Sequence, residues 1–193
     1  MRSSPDAGGE VEMPGSSLTA PKRLWTRAQV MAKGCPVPAV PGVYGWHFTA
    51  APSSELSANQ LLYVGISPRR MPQRPSSQHL RKRIRYHYRG NAYGSTLRLT
   101  LGCLLGLELR RVGSGARLTF TQQGEAALTE WMHEHAQVCW IEHPEPWMVE
   151  SVLLAELDLP LNLDQNRHNA FHARLTALRA QARQRARELP IAR

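Results

Sequence analysis

Gly42-Val43-Tyr44-Gly45-Trp46-His47-Phe48 and its companion Leu61-Leu62-Tyr63-Val64-Gly65-Ile66 decide the architecture of this 193-residue chain. In the first run Tyr44, Trp46 and Phe48 share one face by the two-residue period of a strand, and the second is equally β-rich. Proline punctuation from Cys35 to Pro41 makes the approach extended, so the strand begins near Val43. The polar stretch Ala51–Asn59 then joins the two runs as a long hairpin loop. A third core strand is expected at Val138-Cys139-Trp140-Ile141, and a short one at Leu118–Phe120.

Helices are expected around these strands. Leu80, Ile84 and Tyr88 recur at helical spacing in a segment otherwise filled with Arg, Lys and His, which describes a basic amphipathic helix ending at Gly90-Asn91. Ser95 is placed to N-cap a second helix through Leu97, Leu101, Leu104 and Leu105. A further helix runs from about Gly124 to His135. Pro144-Glu145-Pro146 opens one that Trp147, Met148, Val149, Val152, Leu153, Leu154 and Leu157 make apolar almost all round, so it is expected to be buried. Beyond Asn169 lies an Arg- and Ala-rich helix carrying Arg174, Arg179, Arg183, Arg185 and Arg187, expected to be solvated on most faces. The pattern is α+β: a small central, mostly antiparallel, three-stranded sheet flanked by helices, with an extra C-terminal helix. Residues 1–24, rich in Ser, Pro, Gly and Ala at their start, are expected as a weakly ordered tail. A domain follows at 25–166, with its core at 41–162 and an insertion at about 90–135, and the basic helix occupies 167–193.

Lys and Arg number 24 against 15 Asp and Glu, a formal charge of +9, and only Lys22, Lys33 and Lys82 are lysines. Such a balance favours a polyanion, and guanidinium forks suit phosphate oxygens. No apolar run approaches the ~18 residues of a membrane span, and the first residues lack the pattern of a signal peptide, so no membrane association is expected. Cys35, Cys103 and Cys139 are odd in number and widely spaced, which fits a reducing, cytoplasmic setting rather than a disulfide framework.

A few residues stand out as chemical. Glu150 is a solitary carboxylate in an apolar helix; when buried it must be neutralised, paired with arginine or bound to a cation, and otherwise it occupies the one wet stripe. Tyr44 and Tyr63 each lie near a glycine on adjacent strands, where the glycine leaves room for a phosphate or sugar; core tyrosines tied to backbone are the competing reading. Arg83 and His87, four apart on one helix face, suit a shared grip on a phosphate, and His87 can also move a proton. His133, Glu134, His135, Cys139 and His143 lie close in sequence. Histidines two apart on a helix diverge, however, and Cys139 reads as a buried strand residue, which disfavours zinc.

Taken in order, these pieces resemble the GIY-YIG nuclease family from roughly Pro41 to Asn162. Gly42-Val43-Tyr44 is similar to the first signature tripeptide, Tyr63-Val64-Gly65 to the second, and Leu80-Arg81-Lys82-Arg83-Ile84 to the arginine helix. Glu150 matches the metal-binding glutamate and Asn162 the downstream asparagine. His87, one turn after Arg83, is similar to the histidine of the restriction-enzyme branch. The resemblance implies a metal-dependent DNA endonuclease that leaves 5′-phosphate and 3′-hydroxyl ends. Its implied catalytic residues are Tyr44, Tyr63, Arg83, His87 and Glu150, with Glu150 the ligand of Mg²⁺ or Mn²⁺. Asn162, Arg69, Arg70, Arg81 and Arg85 are expected to contact substrate. Arg83 and the metal would also lower the pKa of Tyr44 so that it serves as a base, helped by Tyr63 or His87. RNA is a second candidate substrate, a dimer is one of the open oligomeric states, and a non-catalytic nucleic-acid-binding protein on the same scaffold is the alternative. Three departures stand out: the long gap between Tyr44 and Tyr63, Ile66-Ser67 where many members carry lysine, a role left to Arg69 or Arg70, and the extended Gly90–His135 segment.

Overall fold

The computed structural model describes residues 14–69 and 77–192. In chain order the elements are α1 (Pro14–Thr19), β1 (Trp25–Thr26), α2 (Arg27–Met31), β2 (Gly42–Phe48), β3 (Leu61–Ser67), α3 (Leu80–Arg89), α4 (Thr96–Leu104), β4 (Leu109–Val112), β5 (Arg117–Phe120), α5 (Gln122–His135), β6 (Ala136–Glu142), α6 (Pro146–Glu156) and α7 (His172–Glu188). An antiparallel sheet of order β1-β6-β2-β3 carries the fold, and β4 and β5 form a separate hairpin.

The sequence pattern predicts three core strands, and the sheet has four. The extra strand, β1, is two residues long, too short for alternation to register; Trp25 pairs with Val138 and stacks on Trp140 at 5.7 Å between ring centroids.

Strand β2 is buried along its whole length because helices cover both faces of the sheet. Tyr44, Trp46 and Phe48 pack with Leu80, Ile84 and Tyr88 of α3 and Leu97 and Leu101 of α4. On the other face Val43, Val64 and Ile66 meet Leu18 of α1 and Val149, Leu153 and Leu154 of α6. The tail expected over 1–24 is therefore ordered from residue 14: Leu18 is fully buried, and its carbonyl accepts a 2.9 Å hydrogen bond from His47 Nε2. Residues 1–13 lie outside the described part. Helix α6 is less buried than its composition suggests, since one side packs on the sheet while Met148 is 58% and Val152 45% exposed.

The segment expected as an insertion is tied into the core by a polar knot. Arg98, entirely buried on α4, pairs with Glu125 of α5 at 2.7 Å and reaches the carbonyl oxygen of His87 at 3.3 Å. Glu125 Oε1 in turn accepts from the backbone N–H groups of Ala92 and Phe120, joining the α3–α4 turn, β5 and α5. Helix α7 is likewise no free appendage: Leu175, Arg179 and Ala186 are buried, and the helix packs on α4 and β4.

Glu125→Ala leaves the Arg98 guanidinium buried without its counter-charge and should cost about 3–5 kcal/mol in urea denaturation. A loss below about 1 kcal/mol, the range of an exposed pair, would show that the knot does not hold the segment.

Candidate active site

The sheet ends at β3, whose outer edge would present unpaired backbone groups. The chain after α6 closes it. Asn162 Oδ1 accepts from Val64 N–H at 2.9 Å, Asn162 Nδ2 donates to Val64 C=O at 2.8 Å, and Leu161 N–H donates to Leu62 C=O at 3.0 Å. Beside this covered edge lies a cavity of about 520 Å³, where elements from both sheet faces meet. Tyr44, Tyr63, Arg69, Arg83 and Glu150 all line it, although they come from β2, β3, the segment after β3, α3 and α6.

Each arrives by a local cause. Tyr44 stands opposite Gly65 in the β2–β3 register, and its phenol occupies the space a side chain there would need: a Cβ on Gly65 would lie 2.5 Å from Tyr44 Oη. The glycine thus makes room for the tyrosine ring, not for a phosphate or sugar. Arg83 lies on the flank of α3 between the buried Leu80, Ile84 and His87, with Nη1 donating to the Gly94 carbonyl at 3.1 Å. Its Nε and Nη2 are buried and have no hydrogen-bond partner among the described residues. Burial of unpaired guanidinium donors is costly, so this geometry invites an anion.

His87 is fully buried behind Tyr44. Its Nε2 is 2.8 Å from Tyr44 Oη and its Nδ1 2.7 Å from Ser95 Oγ, which also accepts from the Arg98 N–H as the cap of α4. Burial, with Arg83, Arg69 and Arg98 nearby, holds its pKa well below the ordinary value, so the ring is neutral. Burial also raises the pKa of Tyr44 and outweighs the opposing charge of Arg83. The charge of Arg83 alone therefore leaves Tyr44 a neutral phenol. Tyr63 is raised too, by burial and by neighbouring Tyr44.

Glu150 is half-buried, and its carboxylate has no ion pair or hydrogen bond among the described residues. Burial pushes its pKa up to about 7, Arg69 pulls it down, and Asp164 in the same cavity raises it further. A lone carboxylate kept from full solvation beside a second acid is a donor set suited to a hard, largely hydrated cation such as Mg²⁺ or Mn²⁺. Among the described residues no three His, Cys, Asp or Glu side chains cluster as a ligand set.

Several expected contacts fall elsewhere. Arg81 and Arg85 do not line the cavity: Arg81 Nε donates to the Val37 carbonyl at 2.6 Å, and Arg85 to the carbonyls of Val30, Met31 and Ala32 at the C-terminal end of α2. Both donate to backbone carbonyls, those taken by Arg85 being at the C-terminal end of a helix, where a cation is favoured. Asn162 borders the cavity, but its amide is engaged with Val64, which makes it a structural clamp rather than a free substrate contact. Arg70 lies outside the described residues. Arg69 lines the cavity and reaches Thr96 Oγ1 at 3.5 Å. Sequence reasoning missed Ser95 as a partner of His87, and Asp164, Arg179 and Arg183 as cavity residues. The four-residue spacing of the two arginines on an Ala-rich helix is the one signal that hinted at a shared face.

Comparison with known proteins agrees with this geometry. The family model of the GIY-YIG catalytic domain matches residues 42–181, from the start of β2 into α7. The chain belongs to the GIY-YIG family of nuclease domains. Searches of curated proteins and of solved structures gave no significant match.

Because His87 is neutral when folded and titrates near 6.5 when unfolded, the unfolded state takes up the proton first on acidification. Its contribution to stability is complete above about pH 6.5 and is lost as pH falls toward the depressed folded value. His87→Gln should flatten the fall in Tm between neutral pH and pH 5; an equally steep fall would show that His87 is not held neutral.

Proposed function

We propose that the protein is a metal-dependent DNA endonuclease that hydrolyses phosphodiester bonds to leave 5′-phosphate and 3′-hydroxyl ends. The observation that carries the reading is the pairing, in one cavity, of a guanidinium with two unsatisfied buried donors and a carboxylate with no partner among the described residues. The first is suited to a phosphoryl group and the second to a cation. Membership of the family supports nuclease chemistry in general.

In this mechanism Arg83 binds the non-bridging oxygens of the scissile phosphate and gains strength as charge builds there in the transition state. Tyr44 accepts a proton from the attacking water while passing its own to His87 Nε2. Ser95 Oγ supports the required tautomer by accepting from Nδ1–H. Water adds at phosphorus, the P–O3′ bond breaks, and the departing 3′ oxygen takes a proton from solvent to become a hydroxyl; His87 later returns its proton to Tyr44, which loses one to solvent, restoring the resting state. The incoming phosphodiester matters for timing. It offsets the charge of Arg83 and Arg69, which after burial help to hold His87 unprotonated, so the relay gains basicity when substrate is seated. Tyr63 packs edge-on to His87 at 6.4 Å between centroids and keeps that ring in place. Glu150 would hold the Mg²⁺ or Mn²⁺, which supplies positive charge to the phosphate and the leaving oxygen.

Incubating supercoiled and linear DNA with Mg²⁺ or Mn²⁺ tests the reading. Wild type should nick or cut and chelator should stop it, with Glu150→Gln reduced to background; intact DNA that is nevertheless bound would favour a binding protein. Arg83→Ala should lower kcat by roughly 10²–10³-fold with a much smaller change in KM, and an effect confined to KM would remove its transition-state role. Because cation and proton compete for Glu150, Mn²⁺ affinity by calorimetry should fall by up to about tenfold per pH unit below about 7, with proton release on binding. Affinity flat from pH 8 to 6 would place the cation elsewhere.

A further inference from the structure

Helix α7 supplies one wall of the cavity through Thr176, Arg179 and Arg183, which share a face at spacings of three and four. The rest of its packed surface is apolar: Leu175, Leu178, Ala182 and Ala186 lie against the core. Two guanidinium groups in that stripe are out of keeping with packing alone. Arg179 is only 8% exposed; its Nη1 has a long 3.5 Å contact to Thr100 Oγ1, and its Nε is buried with no partner among the described residues. Burial, and after it the like charge of Arg183, half-buried one turn further on, lowers the pKa of Arg179. Asp164 and Glu150 face the same space, so four guanidinium groups, of Arg69, Arg83, Arg179 and Arg183, meet two carboxylates. An arrangement of that kind is stable when an anion completes it.

Arg83 already presents the donors that one phosphoryl group can use, and a cavity of about 520 Å³ exceeds what a single phosphate fills. We infer that Arg179 and Arg183 bind the phosphodiester adjoining the scissile one, so that the site takes a continuous polynucleotide strand rather than an isolated phosphodiester. This rests on the nuclease reading and assigns α7 the role of registering the strand, so that the correct phosphate reaches Arg83.

Binding of a fluorescein-labelled oligonucleotide, measured by anisotropy in chelator across a salt series, separates this role from a structural one. Arg183→Gln and Arg179→Gln should each weaken binding about tenfold and flatten the dependence of log K on log salt by about one. Arg187→Gln, exposed and outside the cavity, should change that slope much less. In steady-state cleavage with Mg²⁺ the loss should fall mainly on KM. The handicap should be far smaller on bis(p-nitrophenyl) phosphate, which offers one phosphate only. Arg183 carries the test if Arg179→Gln fails to fold. Equal slopes and equal KM for Arg183→Gln and Arg187→Gln would overturn the second subsite while leaving the nuclease reading in place. Slope changes as expected in a protein that never cleaves would keep the subsite and remove the nuclease reading. A wild type that neither binds nor cleaves would remove both.

Discussion

A line of polar contacts through an apolar core governs this molecule: Tyr44 Oη to His87 Nε2, His87 Nδ1 to Ser95 Oγ, Ser95 Oγ to the Arg98 N–H, and Arg98 to Glu125. Every member is buried or nearly so, and each unsatisfied group would be expensive at that depth. The chain runs from the central strand through α3 and the cap of α4 into α5, so the hydrogen bonds that hold the layers together also orient the phenol at the cavity. Gly65 belongs to the same constraint, because any side chain there would collide with the Tyr44 ring.

Burial at this point has an electrostatic consequence. Phenol and imidazole are both held neutral, while Arg83 keeps two donors without a hydrogen-bond partner among the described residues. The carboxylate of Glu150, on the helix covering the other sheet face, meets them only because β3 is an edge and the chain around Asn162 closes that edge without filling the space beside it. A cavity with surplus positive charge, two acids of which Glu150 is suited to a hard cation, and an uncharged phenol–imidazole relay is organised for an anion whose arrival changes the balance.

How much of this was legible follows from what a linear pattern can encode. Tyr44, Trp46 and Phe48 on one strand face and Leu80, Ile84 and Tyr88 on one helix face are period signals, and both faces pack as their spacing requires. Ser95 was legible as a cap because capping is local. Its bond to His87 was not, since the orientation of the α3–α4 turn depends on Arg98 and Glu125, 27 residues apart. Arg81 and Arg85 looked like substrate contacts because charge is all the sequence shows of them; carbonyls of the 30–37 region claim both. Strand β1 and the helix around Leu18 were invisible for want of length; α7 is solvated on most faces, as its composition indicates, but arginines on an Ala-rich helix do not reveal which of them turn inward.

The most direct test of the convergence on one cavity is the relaxation of ring-labelled tyrosine NMR signals on adding Mn²⁺. Of the five tyrosines, Tyr44 and Tyr63 should broaden first, and the effect should vanish in Glu150→Ala. Uniform broadening of all five, or selective broadening that survives loss of Glu150, would contradict the site as built here.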